Sequence, residues 1–172
     1  HLSGVYAIEI DFQNEDIIYI SGNGGIYKST DGGLIWNIIG GSNFNSQSHF
    51  IKDIKMHTQN NQILLLASNQ GLYKSIDCGN TFIEVMSGEF QEIEFHPIDP
   101  DTMYFIKQDL NLTEFYRSDD NGNTLNQFSN GWPSPSSNDE QKRTEIAVSI
   151  ANSNKIVALA TGSANGGSGL YG

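Results

Sequence analysis

The chain has 172 residues, with 9 basic and 20 acidic side chains and a formal charge of −11. That balance argues against nucleic acid and anionic membrane as partners. No apolar run is longer than that of Ile63-Leu64-Leu65-Leu66-Ala67, which is too short to cross a bilayer. The single cysteine, Cys78, excludes an internal disulfide but not secretion, because a large repeat fold needs no such staple.

The chain is long enough for one ordinary domain, and its aromatic and isoleucine content suits short β-strands. No signal peptide is visible, and His1 stands where a methionine is usual, so a processed or trimmed start is expected. In chain order, residues 5–12 alternate as a strand, and Ile17-Ile18-Tyr19-Ile20 reads as a second. Ser21-Gly22-Asn23-Gly24 is a turn, residues 25–29 a third strand and residues 36–39 a fourth. The pattern restarts with strands at 50–56, 63–68, 71–75 and 81–86, then at 91–95, 103–107, 114–118 and 124–128. The first strands share the forms Ile8-Glu9-Ile10-Asp11, Ile54-Lys55-Met56-His57 and Ile93-Glu94-Phe95-His96, with a fourth copy expected at Val148-Ser149-Ile150-Ala151. Ile156-Val157-Ala158-Leu159-Ala160 and Gly169-Leu170-Tyr171 follow as further strands.

Between the third and fourth strands of each unit stands one frame: Ser29-Thr30-Asp31-Gly32-Gly33, Ser75-Ile76-Asp77-Cys78-Gly79 and Ser118-Asp119-Asp120-Asn121-Gly122. The aspartates are spaced 46 and 43 residues apart, and a period of about 40–50 residues points to a propeller or another repeat array. Each copy is turn chemistry. The Asp accepts from nearby backbone N–H groups, the Gly takes positive φ, and Trp36, Phe82 or Leu125 anchors the next strand.

The frame resembles the Asp-box, or BNR repeat, Ser-x-Asp-x-Gly-x-Thr-Trp. Ile35 replaces its Thr in the first copy, while Phe82 and Leu125 replace its Trp in the others. The resemblance implies an all-β fold, a β-propeller of four-stranded antiparallel blades. About three and a half blades are expected over 1–172, at 5–39, 50–86, 91–128 and, incompletely, 144–172. Tyr171 matches Tyr27, Tyr73 and Tyr116, so a fourth box and the remainder of the propeller are expected beyond it. The family also implies a structural role for Ser29, Asp31, Gly33, Trp36, Ser75, Asp77, Gly79, Phe82, Ser118, Asp120 and Gly122.

Sialidases share the box but need three arginines, and only Arg117 and Arg143 are present. Xyloglucanase-type glycosidases need a carboxylate pair; Asp11, Asp53, Asp109 and Asp139 are available, but none stands in that family's catalytic context. No catalytic residue, metal site or cofactor is therefore assigned. Asp119-Asp120-Asn121-Gly122 lacks the glutamate of a calcium loop, Phe128 standing in its place. His57 and His96 end equivalent strands, which implies a repeat role; His1 and His49 are isolated.

Long loops at 40–49, 108–113 and 129–143 fall on the face opposite the boxes. Loops that vary on a repeating scaffold are where recognition resides. Phe44 and Trp132 are the expected ligand contacts there, with packing onto a neighbouring blade as the alternative for Trp132. Asn111-Leu112-Thr113 fits N-glycosylation, and Asp101-Thr102-Met103 resembles a bacterial O-glycosylation motif.

The expected function is a non-catalytic binding or display module of a secreted or cell-surface protein, recognising a protein or glycan. The likeness is to sortilin/VPS10-like and BNR-repeat proteins, and bacterial relatives imply type IX secretion. The alternative is part of a glycoside hydrolase whose catalytic residues lie mostly elsewhere.

Overall fold

The computed structural model describes residues 4–22, 24–44, 48–110, 112–129, 132, 141–153, 155–162 and 169–171. The chain divides into two compact units, His1–Ser87 and Gly88–Gly172.

The first unit holds two antiparallel meanders, β1 (Val5–Ile10), β2 (Ile18–Gly22), β3 (Gly25–Ser29) and β4 (Asn37–Ile39), then β5 (Ile51–His57), β6 (Asn60–Ser68), β7 (Gly71–Ser75) and β8 (Ile83–Ser87). Period-two alternation sends successive side chains of each strand to opposite faces of its sheet. Tyr19, Ile26 and Ile39 of the first sheet pack on Ile54, Met56, Leu64, Leu66 and Tyr73 of the second. Glu9 reaches across this seam, its Oε1 accepting from Met56 N at 3.2 Å. On the far face of the first sheet Ile8, Ile10 and Ile38 are exposed.

The second unit contains β9 (Glu89–Phe95), β10 (Met103–Asp109), β11 (Leu112–Ser118) and β12 (Asn126–Phe128), then a three-stranded meander of β13 (Gln141–Val148), β14 (Ile156–Gly162) and β15 (Gly169–Tyr171). Its seam follows the same plan, with Tyr104, Ile106 and Phe115 against Ile146, Val148, Ile156 and Ala158. Glu92 Oε2 accepts from Ile146 N at 2.7 Å and Gln91 Oε1 from Thr144 N at 3.1 Å.

Register carries the repeat through all four sheets. Tyr27 pairs with Ile20, Tyr73 with Leu66, Tyr116 with Phe105 and Tyr171 with Ala158. The first strands β1, β5 and β9 each bulge by one residue, at Tyr6, Lys52 and Gln91. The fourth first strand departs from expectation. The bond closing its hairpin runs from Ser149 N to Lys155 O, as Asp11 N bonds Ile17 O and His96 N bonds Thr102 O. The fourth copy is therefore Ile146-Ala147-Val148-Ser149, two residues earlier than read from alternation, and Ile150 is exposed.

Candidate functional site

Each turn between third and fourth strands closes on itself. In the first, Asp31 Oδ1 accepts from Leu34 N at 3.0 Å, Ile35 N at 2.9 Å and Ser29 Oγ at 2.8 Å. In the second, Asp77 Oδ1 accepts from Thr81 N and Ser75 Oγ, and Thr81 Oγ1 donates to Oδ2 at 2.6 Å. The third repeats this set, with Thr124 Oγ1 donating to Asp120 Oδ2 at 2.7 Å. The Ser Oγ also accepts from the turn glycine N, at 2.8, 2.9 and 2.9 Å. Two successive left-handed residues make this geometry possible: Gly32 and Gly33, Cys78 and Gly79, Asn121 and Gly122. Trp36 is half-buried rather than enclosed by a neighbouring sheet. It lies over Gly33, and its Nε1 donates to Gly33 O.

These bonds favour the ionised carboxylate. The Thr81 hydroxyl, followed by the Thr81 backbone N–H and Ser75, lowers Asp77 from 3.8 to about 2. Burial pushes Asp120 upward, but the Thr124 backbone and hydroxyl, Ser118 and Asn123 outweigh it and leave it at about 2. Asp31 is also lowered, chiefly by the Ile35 backbone. A carboxylate held this way is a poor proton donor near neutrality, so these residues do not suit the acid of a glycosidase.

The opposite ends of the same turns grip the hairpin between first and second strands. Gly32 N donates to Asp16 O, Cys78 N to Gln62 O and Asn121 N to Asp101 O, each at 3.0 Å. The residue ending each first strand caps that hairpin with its side chain. Asp11 Oδ1 accepts from Gln13 N, His57 Nδ1 from Gln59 N and Asn60 N, His96 Nδ1 from Ile98 N and Asp99 N, and Ser149 Oγ from Asn152 N. The two histidines thus act as imidazole acceptors in a structural cap.

Other candidate chemistry is similarly occupied. Asp11 Oδ2 also accepts from Asn61, and Asp53 Oδ1 accepts from Ile54 N. Asp109 is exposed near the β10–β11 turn. Thr102 is buried with its hydroxyl within reach of Asp99 Oδ2 and Asp119 Oδ1, so it is no accessible O-glycosylation site. Asp119 also pairs with Arg117, and both Asp120 oxygens accept hydrogen bonds within its own turn. His1, Asn111 and Asp139 lie outside the described residues.

The two expected ligand-contact aromatics differ. Phe44, ending the 3-10 turn Gly41–Phe44, is fully buried, its ring 5.0–5.3 Å from His49, Tyr73 and Phe82. The expectation of an exposed Phe44 is therefore corrected: its ring is core. Gly40 makes this possible, because a Cβ there would stand 2.6 Å from the Phe44 ring, and its φ of 80° turns the chain inward. His49 is part of the same core, bonded to Ser68 Oγ at 3.0 Å.

Trp132 is half-buried. It stacks on Phe115 at 5.2 Å and 20°, and Phe115 stacks on Tyr104 at 5.8 Å and 18°. Its Nε1 donates to Thr113 O at 2.6 Å, at the end of the sheet opposite the Ser-x-Asp-x-Gly turn. The indole is thus fixed with its donor satisfied and packs against the core cluster of Tyr104, Ile106, Ile146 and Ala158, as the packing alternative expected, while the residue stays partly exposed. Further down the same seam is a cavity of about 260 Å³, whose walls include Thr102, Tyr104, Phe115, Arg117, Phe128 and Ile156. Sequence reading missed this cavity, although Tyr104 and Arg117 repeat the positions of Tyr19 and Lys28.

Neither the protein-family models nor the curated proteins give a match to the chain. Among solved structures, the chain is similar to an ancestral GH74 enzyme at 17% identity and a TM-score of 0.77, over 90% of this chain and 21% of that one. It is similar to the GH74 xyloglucanase from Xanthomonas campestris at 14% identity and a TM-score of 0.74, over 95% and 27% of the two chains. It is also similar to YCF48 bound to D1 peptide at 11% identity and a TM-score of 0.61, over 91% and 48%. The chain therefore spans less than half the length of each of these structures. With three four-stranded antiparallel sheets and one three-stranded sheet among its described residues, the chain has the fold of about three and a half blades of a β-propeller.

Proposed function

We propose that this chain is a non-catalytic binding module, part of a larger secreted or cell-surface protein, that recognises a protein or glycan through the loop end opposite its Ser-x-Asp-x-Gly turns. We read those turns as Asp-boxes, and the whole as a relative of BNR-repeat and sortilin-like propellers. The observation carrying the proposal is Trp132, a partly exposed residue at the margin of the core whose indole is stacked on Phe115 with its N–H satisfied. A rigid aromatic of this kind suits a sugar face or an apolar side chain, because little entropy is lost on binding. The peptide-bound YCF48 neighbour supports a peptide as the first class to try.

The GH74 neighbours favour a second reading, a segment of a glycoside hydrolase. Xyloglucan and arrayed peptides separate the two. The binding reading predicts saturable binding that falls in Trp132→Ala, with no release of reducing ends from xyloglucan. Hydrolysis by the chain, abolished by a single carboxylate substitution, would establish the enzyme instead.

A further inference from the structure

The hairpin between second and third strands has one length in the first two sheets and another in the third. Measured from the Ile20–Tyr27, Leu66–Tyr73 and Phe105–Tyr116 pairs, β2 and β6 run two residues further, to Gly22 and Ser68, whereas β10 runs four, to Asp109. At about 3.4 Å per residue, the third hairpin is about 7 Å longer at the loop end. The first hairpin turns on Gly24, at a φ of 86°, but the third turns on Leu110, at a φ of 52°. A left-handed turn favours Asn or Gly over leucine, and Leu110 is 91% exposed. The leucine therefore serves neither its turn nor a core.

The tip is braced rather than loose. Gln108 Nε2 donates to Leu110 O at 3.1 Å, and Gln108 Oε1 accepts from Gln91 Nε2 at 2.8 Å. Gln91 Oε1 in turn accepts from Thr144 N, and Thr113 Oγ1 lies 3.0 Å from Thr144 Oγ1. Asp109 and Leu112 pair directly, so their side chains leave one face of the hairpin, and both are exposed. Phe115, on which Trp132 stacks, belongs to the other face. Lys107 is held by Glu114 at 3.3 Å, while Asp109 has no cation partner among the described residues.

We propose that this tip is a docking surface for a peptide segment that presents a bulky apolar side chain next to a lysine or arginine. Leu110 and Leu112 cover the apolar group, and the Asp109 carboxylate pairs with the cation. The charge of −11 draws a basic segment in and repels an acidic one. Because Gln108 and Gln91 hold the tip, little entropy is lost on binding. This surface shares the loop end with Trp132 and so rests on the reading of that end as the recognition end. It adds a class of partner and a contact separate from the indole.

The test is NMR of the Leu110 and Leu112 methyls during titration of the chain with the peptide Gly-Lys-Phe-Lys-Gly, with Gly-Glu-Phe-Glu-Gly as the control. The expected result is saturable shifts with the lysine peptide and at least about fivefold weaker binding of the glutamate peptide. Leu110→Asn suits the left-handed turn and keeps the fold, as circular dichroism will show, yet is expected to weaken binding at least about fivefold. Asp109→Asn is expected to weaken it about twofold to fivefold. No saturable shift up to millimolar peptide, equal binding of the two peptides, or unchanged binding in Leu110→Asn would overturn the proposal. So would equal or larger shifts with cellohexaose or with phosphatidylcholine vesicles, which would make the tip a glycan or membrane contact. Trp132→Ala in the same titration separates the two readings. Binding lost there but kept in Leu110→Asn overturns this surface alone, whereas binding lost only in Leu110→Asn leaves this surface standing without Trp132.

Discussion

Phe44 and Trp132 occupy comparable places, each a lone aromatic in a polar loop that follows a fourth strand, yet they differ in use. Phe44 is surrounded by Tyr73, Phe82 and His49 and has no surface to offer. Trp132 stacks on one ring, Phe115, at the edge of the second unit's core cluster, and the residue stays partly exposed. A lone loop aromatic is therefore not a binding signal in itself. What matters is how many rings the scaffold places around it and whether its polar atom is already satisfied.

The sharpest way to break this contrast is to truncate both. Phe44→Ala removes a fully enclosed ring and is expected to destabilise the first unit by about 3–5 kcal/mol in urea unfolding. Trp132→Ala, at a partly exposed residue on the margin of the second unit's core, should cost less. Equal losses would mean that Trp132 is a core residue too.

Next in size are the turns. Ser75 Oγ is buried and serves Asp77 and Gly79 N together, so Ser75→Ala is expected to cost about 1–3 kcal/mol. A neutral effect would show that the turn holds without its serine.

A subtler effect separates the first turn from the others. Asp77 and Asp120 each accept from a threonine hydroxyl, whereas Ile35 leaves Asp31 without one. In the folded chain Asp77 and Asp120 lie near 2, below the ordinary 3.8. Because the folded pKa is the lower one, their contribution to stability is fully present above about pH 4 and is lost as pH falls toward 2. Ile35→Thr should lower Asp31 further, and Thr81→Val should raise Asp77, both read by NMR titration of the carboxyl carbons. Unchanged values would remove the hydroxyl from the account.

Much of the fold was legible because period-two alternation and the repeated Ser-x-Asp-x-Gly frame fix strand order and spacing together. The strand expected at 71–75 is β7, and that expected at 50–56 is β5 shifted by one residue. The bulges were not legible, because an extra residue such as Lys52 leaves the apolar spacing on either side intact. The fourth first strand was misplaced because Ile146-Ala147-Val148-Ser149 and Val148-Ser149-Ile150-Ala151 alternate equally well. The Ser149–Lys155 backbone bond, the Ser149 side-chain cap and the pairing with β14 distinguish them. Phe44 was misread because its composition context is that of a loop, while its burial depends on Tyr73 and Phe82, far along the chain. The cavity depends on register across two sheets, which no local pattern reports.

Recognition is proposed to run through Trp132 and not through the Ser-x-Asp-x-Gly turns. The direct measurement is binding of the wild-type chain, Trp132→Ala and Asp77→Asn to one glycan and peptide array, after circular dichroism has established that all three are folded. The ligands bound by wild type are expected to be lost or weakened at least about tenfold in Trp132→Ala and retained in Asp77→Asn. Retention by Trp132→Ala with loss in Asp77→Asn would contradict it.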